Sequence, residues 1–111
     1  MNVGDYGNEL IFGTGFNGAG FDMSGATGLS ILFTRPDGTT FTVTEPQVAI
    51  GSTNVTVPGG IFNAHQYVTY YFIQGQLTKA GSWQARLIYD VSSALPPIHF
   101  NTNIARFNVG P

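Results

Sequence analysis

The feature that most constrains this chain is its rhythm, in which short runs of alternating apolar and polar residues are broken by glycine and proline. Fifteen glycines and six prolines are spread over the whole 111 residues rather than gathered in one linker. They are the poorest helix formers, and no stretch carries an apolar repeat at helical spacing. Residues 28 to 35, GLSILFTR, set Leu29, Ile31 and Phe33 on one face and Ser30, Leu32 and Thr34 on the other. Pro36-Asp37-Gly38 then makes a tight turn, proline presetting φ and glycine permitting a positive one. Residues 39 to 44, TTFTVT, alternate again with Phe41 and Val43 inward. The span 28 to 44 is therefore predicted as a β-hairpin.

The same reading continues along the chain. Strands are expected over residues 8 to 16, over QVAI (47 to 50), over NVTV (54 to 57) and over YVTYYFI (67 to 73). Residues 75 to 82 form a turn with room for one helical turn. SWQARLIYD follows as a strand with Trp83, Ala85, Leu87 and Tyr89 on one face. A loop stiffened by Pro96-Pro97 leads into 99 to 109, where Phe107 and Val109 face inward past an irregularity near Asn103. About seven short strands in antiparallel succession predict an all-β, immunoglobulin-like antiparallel β-sandwich in a single domain, residues 1 to 111. With 42% hydrophobic residues the chain can fill such a core, between sheets contributing Phe33, Phe41, Tyr70, Phe72, Trp83, Leu87 and Phe107.

GTGFNGAG, residues 13 to 20, contains Gly13, Gly15 and Gly18 in a G-x-G-x-x-G spacing. A dinucleotide fingerprint uses such glycines to bring backbone against a pyrophosphate at a helix N-terminus. Here a strand does precede Gly13, but AGFDMSGATGLS follows, without helical periodicity and without the G-K-[ST] of a P-loop. The glycines are read as turn chemistry, and no cofactor is expected.

Charge narrows the function classes. Only 9% of residues are charged, against roughly 25% in an ordinary soluble domain. Burying an ion at a permanent interface costs desolvation, so a surface built of amides and hydroxyls suits a subunit covered by its neighbours. A net charge of −2 with Arg35, Lys79, Arg86 and Arg106 scattered offers no nucleic-acid footprint. There is no cysteine, hence no disulfide and no thiolate metal site. MNVGDYGNEL has neither a basic n-region nor an apolar h-region, and no apolar run reaches the roughly 20 residues of a membrane span.

Candidate chemistry is sparse. His65 and His99 are the two histidines, and a metal site would require them to converge with a carboxylate such as Asp90 or Glu45. No G-x-S-x-G is present, and six acids spread along the chain do not suggest a glycosidase pair. The expectation is a non-enzymatic protein without catalytic, metal or cofactor residues. Tyr67, Tyr71, Gln66 and Asn63 could form a sugar platform, which keeps a carbohydrate-binding module as one alternative. Trp83 is read as a core anchor.

Phe21-Asp-Met-Ser-Gly-Ala-Thr27, ILFTRPDGT at 31 to 39, LTKAGSWQARLIY at 77 to 89 and a closing F-x-V at 107 to 109 occur in order. This series resembles the immunoglobulin-like domain at the N-terminus of phage baseplate upper proteins and related tail proteins. Met23 stands where that family usually has leucine, and residues 51 to 66 look longer and more apolar than its middle connection. The resemblance implies a structural subunit of a bacteriophage virion, assembled in the bacterial host cytoplasm. Its implied role is a tail, baseplate or neck adaptor docking other virion proteins, with homo-oligomers inside a larger assembly, and without nucleic acid or membrane. Capsid decoration is the alternative location. Two docking regions are expected: Pro58 to Gln66, with Ile61, Phe62 and His65, and Ala94 to Phe100, with Leu95, Pro97 and Ile98. Exposed apolar loops rarely stay wet, and a Pro-Pro step loses little entropy on binding.

Overall fold

The computed structural model describes residues 1–91, 98–102 and 104–111. Its strands are β1 Glu9–Gly13, β2 Thr27–Thr34, β3 Thr40–Thr44, β4 Ala49–Ile50, β5 Val55–Val57, β6 Gly60–Phe62, β7 Tyr67–Tyr71, β8 Gly81–Val91, β9 Ile98–Asn101 and β10 Ala105–Val109. The pairings between them are antiparallel. No helix occurs among the described residues, so 75–82 is a turn without the helical turn allowed above.

The long strand β8 organises the larger sheet. Its period of two buries Trp83, Ala85, Leu87 and Tyr89. One edge of β8 pairs with β2, and the other pairs first with β10 and then with β9. Gly81 opens the strand at φ 125°, and the Trp83 indole N–H donates to the Lys79 carbonyl at 2.8 Å. That bond satisfies the indole's single donor as the ring enters the core.

The predicted hairpin pairs Ser30 with Thr44 through Thr34 with Thr40. Its turn is closed by Gly38 at φ 87° and by the Arg35 N–H donating to the Thr39 carbonyl at 2.8 Å. The Thr39 hydroxyl and N–H both donate to the Asp37 carboxylate, at 2.7 and 3.1 Å, and hold its pKa below the usual aspartate value. A bulge lies at the other end of β2, where the register with β8 shifts between Thr27 and Ser30. Glu45 spans it, accepting the Leu29 N–H at 2.9 Å and donating its own N–H to the Leu29 carbonyl at 3.2 Å.

The smaller sheet runs β1-β7-β4 and lies over the larger one, β10-β8-β2-β3. Val68, Tyr70 and Phe72 face Leu29, Ile31 and Phe33, with the Phe33 and Phe72 rings 5.2 Å apart. The expected β-sandwich is the observed architecture. Constant-type immunoglobulin order sets the second strand beside the first, whereas here β2 lies between β3 and β8. The β2–β3 hairpin therefore stays within one sheet, and the connection from β3 to β4 closes that side of the sandwich with Val48 buried beneath it.

The β5–β6 hairpin, of which only the first strand was expected, folds onto the outer surface of the smaller sheet. The Phe62 ring lies where a side chain on Gly13 would stand, and the Tyr67 ring where one on Gly51 would stand. Phe16 stacks on Phe62 at 4.7 Å. Two glycines thus make room for a second aromatic cluster outside the main core. Gly13→Ala and Gly51→Ala should each destabilise the fold by about 1–3 kcal/mol, visible as a lowered thermal midpoint by circular dichroism. The exposed Gly75→Ala, at φ 89° with nothing within 4 Å of a built Cβ, should cost about 1 kcal/mol from backbone strain alone.

Candidate functional site

On the side opposite the β3–β4 connection, the edges of the two sheets stand apart. Between them lies a solvent-open trough of about 970 Å³. Residues 10–16 form one wall, and residues 100–102 with 104–107 form the other. Its sides are largely apolar. Phe100 stacks on Tyr89 at 5.0 Å, and Phe21 tilts against Phe100 at 4.9 Å. Arg106 is the single Asp, Glu, Lys, Arg or His among its lining residues, and alternation along β10 sets its side chain with that of its cross-strand partner Gln84, on the face opposite Phe107 and Trp83.

The glycine-rich loop builds one end of this trough. Thr14 donates its hydroxyl to the Gln66 carbonyl at 2.9 Å and accepts the Phe21 N–H at 2.8 Å. Gly15 passes so near the Gly20 backbone that a Cβ would collide with it. The loop therefore folds back on itself and presents Phe16 and Phe21, which are 42% and 40% exposed, on its two flanks. No helix follows it, so the backbone amides are not gathered at a helix N-terminus as a pyrophosphate site requires.

The nominated interface residues are placed unevenly. Ile61 is 40% exposed on β6, but Phe62 is only 8% exposed and is covered by Phe16 within the chain. Alternation on a short strand turns neighbouring residues to opposite sides, so they do not form one apolar loop. His65 is exposed at φ 65°, its carbonyl accepting the Met23 N–H at 2.7 Å. Leu95 and Pro97 lie outside the described residues, and Ile98 is described only as the first residue of β9, paired with Val91. The trough nonetheless joins the two nominated regions through Pro58 and Phe62 from one and Phe100 from the other. Phe16, Phe21, Ile104 and Arg106 were missed. The available signal was two phenylalanines set among glycines, since a loop that flexible has little reason to carry large rings without a surface to cover.

The histidines do not meet. His99 Nδ1 lies 2.5 Å from Asp90 Oδ1 across the β8–β9 ladder, and both side chains are about half exposed. Among the described residues no group of three His, Cys, Asp or Glu side chains is placed to hold a metal ion. The sugar platform loses a member, because Tyr67 is 6% exposed and donates its hydroxyl to the Thr53 carbonyl at 2.7 Å. Tyr71 stays exposed and donates to Glu9 at 2.7 Å, which raises the tyrosine's pKa.

No family model, curated protein or solved structure matches this chain.

Burial raises the pKa of Tyr89 on the trough floor, and of Tyr70 in the core despite its hydrogen bond to Gln76. Both phenols are held neutral in the folded state. Their stabilising contribution is complete below the unfolded tyrosine value, about pH 10, and is lost as pH rises through the higher folded values. The thermal midpoint should fall steadily above about pH 10, and Tyr89→Phe should flatten that fall while leaving the midpoint at pH 7 nearly unchanged.

Proposed function

We propose that this protein is a structural subunit of a bacteriophage virion, an adaptor of the tail, baseplate or neck that docks other virion proteins. The observation that carries the reading is the open trough, an apolar cleft between two sheet edges on a chain with 9% charged residues. A monomer keeps itself soluble with charge and covers its edges; this chain is economical with the first, and its described residues leave the second undone on one side. The order of motifs from Phe21 to Val109, similar to that of phage tail domains, supplies the setting. The mechanism is geometric, with a rigid sandwich presenting loops and edges to neighbours, itself forming homo-oligomers inside the larger assembly. No reaction is involved.

The reading is tested on gradient-purified particles from the host that carries this sequence. Mass spectrometry should find the chain in fixed ratio to the major virion proteins, and immunogold should label the tail or its junction with the head. Label over the capsid surface would move the protein to a decoration role, and absence from intact particles would overturn the proposal. Ile61→Asp, changing an exposed side chain, should alter stability by no more than about 0.5 kcal/mol yet lower incorporation into particles.

A further inference from the structure

We infer that the outer face of the larger sheet docks a different protein through an acidic side chain, which the Arg86 and Arg106 guanidinium groups receive together. The inference rests on the adaptor reading and names the chemistry of the partner at a second surface, away from the trough.

Alternation places the two arginines. Trp83, Ala85, Leu87 and Tyr89 are the buried set on β8, so Gln84 and Arg86 belong to its outer face. Arg106 pairs with Gln84 across the β8–β10 ladder, and Leu32 of β2 pairs with Arg86 on the other side. Arg86 and Arg106 are therefore diagonal neighbours on one face, roughly 7–8 Å apart along the ladder. Two like charges that close repel, and a shared anion relieves the repulsion.

No group of this chain supplies that anion. All six acids lie among the described residues, and they are engaged elsewhere, with Asn2, Tyr71, Ser24, Leu29, Thr39 and His99. The ion pair among the described residues is His99–Asp90. Asp90 shares the outer face of β8 but stands four residues beyond Arg86, about 13 Å along the strand. Arg86 Nε is buried with no hydrogen-bond partner, whereas Arg35 donates its own Nε–H to the Gln76 carbonyl. The protein thus keeps two uncommitted guanidinium groups side by side, although it carries only four Lys and Arg residues in all.

The surroundings specify the occupant. A shallow pocket of about 190 Å³ opens beside Arg86, lined by Leu32, Thr34, Gln84 and Ile104. Small-molecule sites run to roughly 300–1,000 Å³, so this one fits a single side chain. Leu32 and Ile104 are apolar, and Ile104 is 39% exposed. A glutamate covers them with its methylenes while its carboxylate takes the guanidinium N–H groups; a bare phosphate leaves them wet. A sugar acid finds no ring to stack on, because Phe33, Phe41, Trp83, Tyr89 and Phe107 all belong to the core side of these strands. Around the pocket Thr40, Thr42, Ser82 and Asn108 are exposed, giving the short polar rim of a protein interface around an arginine anchor. Charge complementarity therefore asks for an acid with apolar neighbours on the partner.

The probe is the blocked peptide Ala-Leu-Glu-Leu-Ala, titrated into the full ¹⁵N-labelled chain and followed at the arginine Nε–H signals. Arg35 is the third arginine and serves as the internal reference. The Arg86 and Arg106 signals should shift saturably while the Arg35 signal stays in place. Replacing the peptide glutamate by glutamine should weaken binding about tenfold. Arg106→Gln, at an exposed position, should weaken it by a similar factor and leave the thermal midpoint unchanged. Arg86→Lys keeps the charge but loses the planar fork, and should weaken it too. No saturable shift, or equal affinity for the glutamine peptide, would overturn the inference. So would inorganic phosphate or glucuronate binding as tightly as the peptide, the first marking an adventitious ion only and the second a sugar-acid site. Shifts of the same two signals with protein concentration alone would make a second copy the occupant and overturn it too. Any of these results leaves the particle test of the adaptor reading untouched, so the two can fail separately.

Discussion

The packing of Phe33 is the contact on which the rest of this molecule depends. Its ring meets Phe41 at 5.0 Å on the neighbouring strand, Tyr70 and Phe72 at 5.7 and 5.2 Å from the opposite sheet, and Phe107 edge-on at 6.2 Å. Trp83 closes the group against Phe41 and Phe107. A core that joins two sheets through a few large rings depends on each of them, since removing one buried phenylalanine typically costs about 3–5 kcal/mol. Arg35 shields the end of this group by lying over Phe41 at 4.5 Å while its guanidinium donates to the Gln76 carbonyl. The ring cluster holds the sheets in register, and the strands arranged around it determine which edges are left over.

Those leftovers are asymmetric for a topological reason. The short connection from β3 to β4 crosses between the sheets and seals one side with Val48. On the other side β1 is an edge of one sheet and β10 an edge of the other, and these two strands do not pair; the β1–β2 connection crosses at one end, with Phe21 against Phe100. The N-terminal residues bridge the bottom of that gap through the Asn2–Gly110 pairing and a bond from the Gly4 N–H to the Leu77 carbonyl. Above that bridge the sandwich stays open, and the trough is the result.

The second aromatic cluster shows why the glycines are where they are. Phe16, Phe62 and Tyr67 lie on the outer surface of the smaller sheet over Gly13 and Gly51, with Phe62 and Tyr67 rings 6.2 Å apart. This holds the β5–β6 hairpin, and with it Pro58 and Phe62, at the margin of the trough. The spacing that resembles a nucleotide-binding fingerprint is thus explained by ring-over-glycine packing at Gly13 and by the close backbone approach of Gly15 to Gly20. Glycine motifs record where backbone must come close to something, and the something here is the protein itself.

Much of the fold was legible in local pattern. The period of two along residues 28–34 and 81–91, and the Pro-Asp-Gly turn between the first two strands of the larger sheet, determined strands, hairpin and the inward set from Leu29 to Tyr89, because steric preference and side-chain alternation act over a few residues. The trough was legible only in fragments. Residues 58–66 and 94–100 were singled out for their apolar character, but Phe62 is covered by Phe16 on the outer surface of the smaller sheet, while Phe16 and Ile104 were overlooked. Which strands become neighbours, that β2 inserts between β3 and β8, and that β1 and β10 face each other unpaired, are long-range facts that no short window encodes. They are settled when the rings of distant segments pack together, because only then does the chain show which of its edges have been used and which remain free.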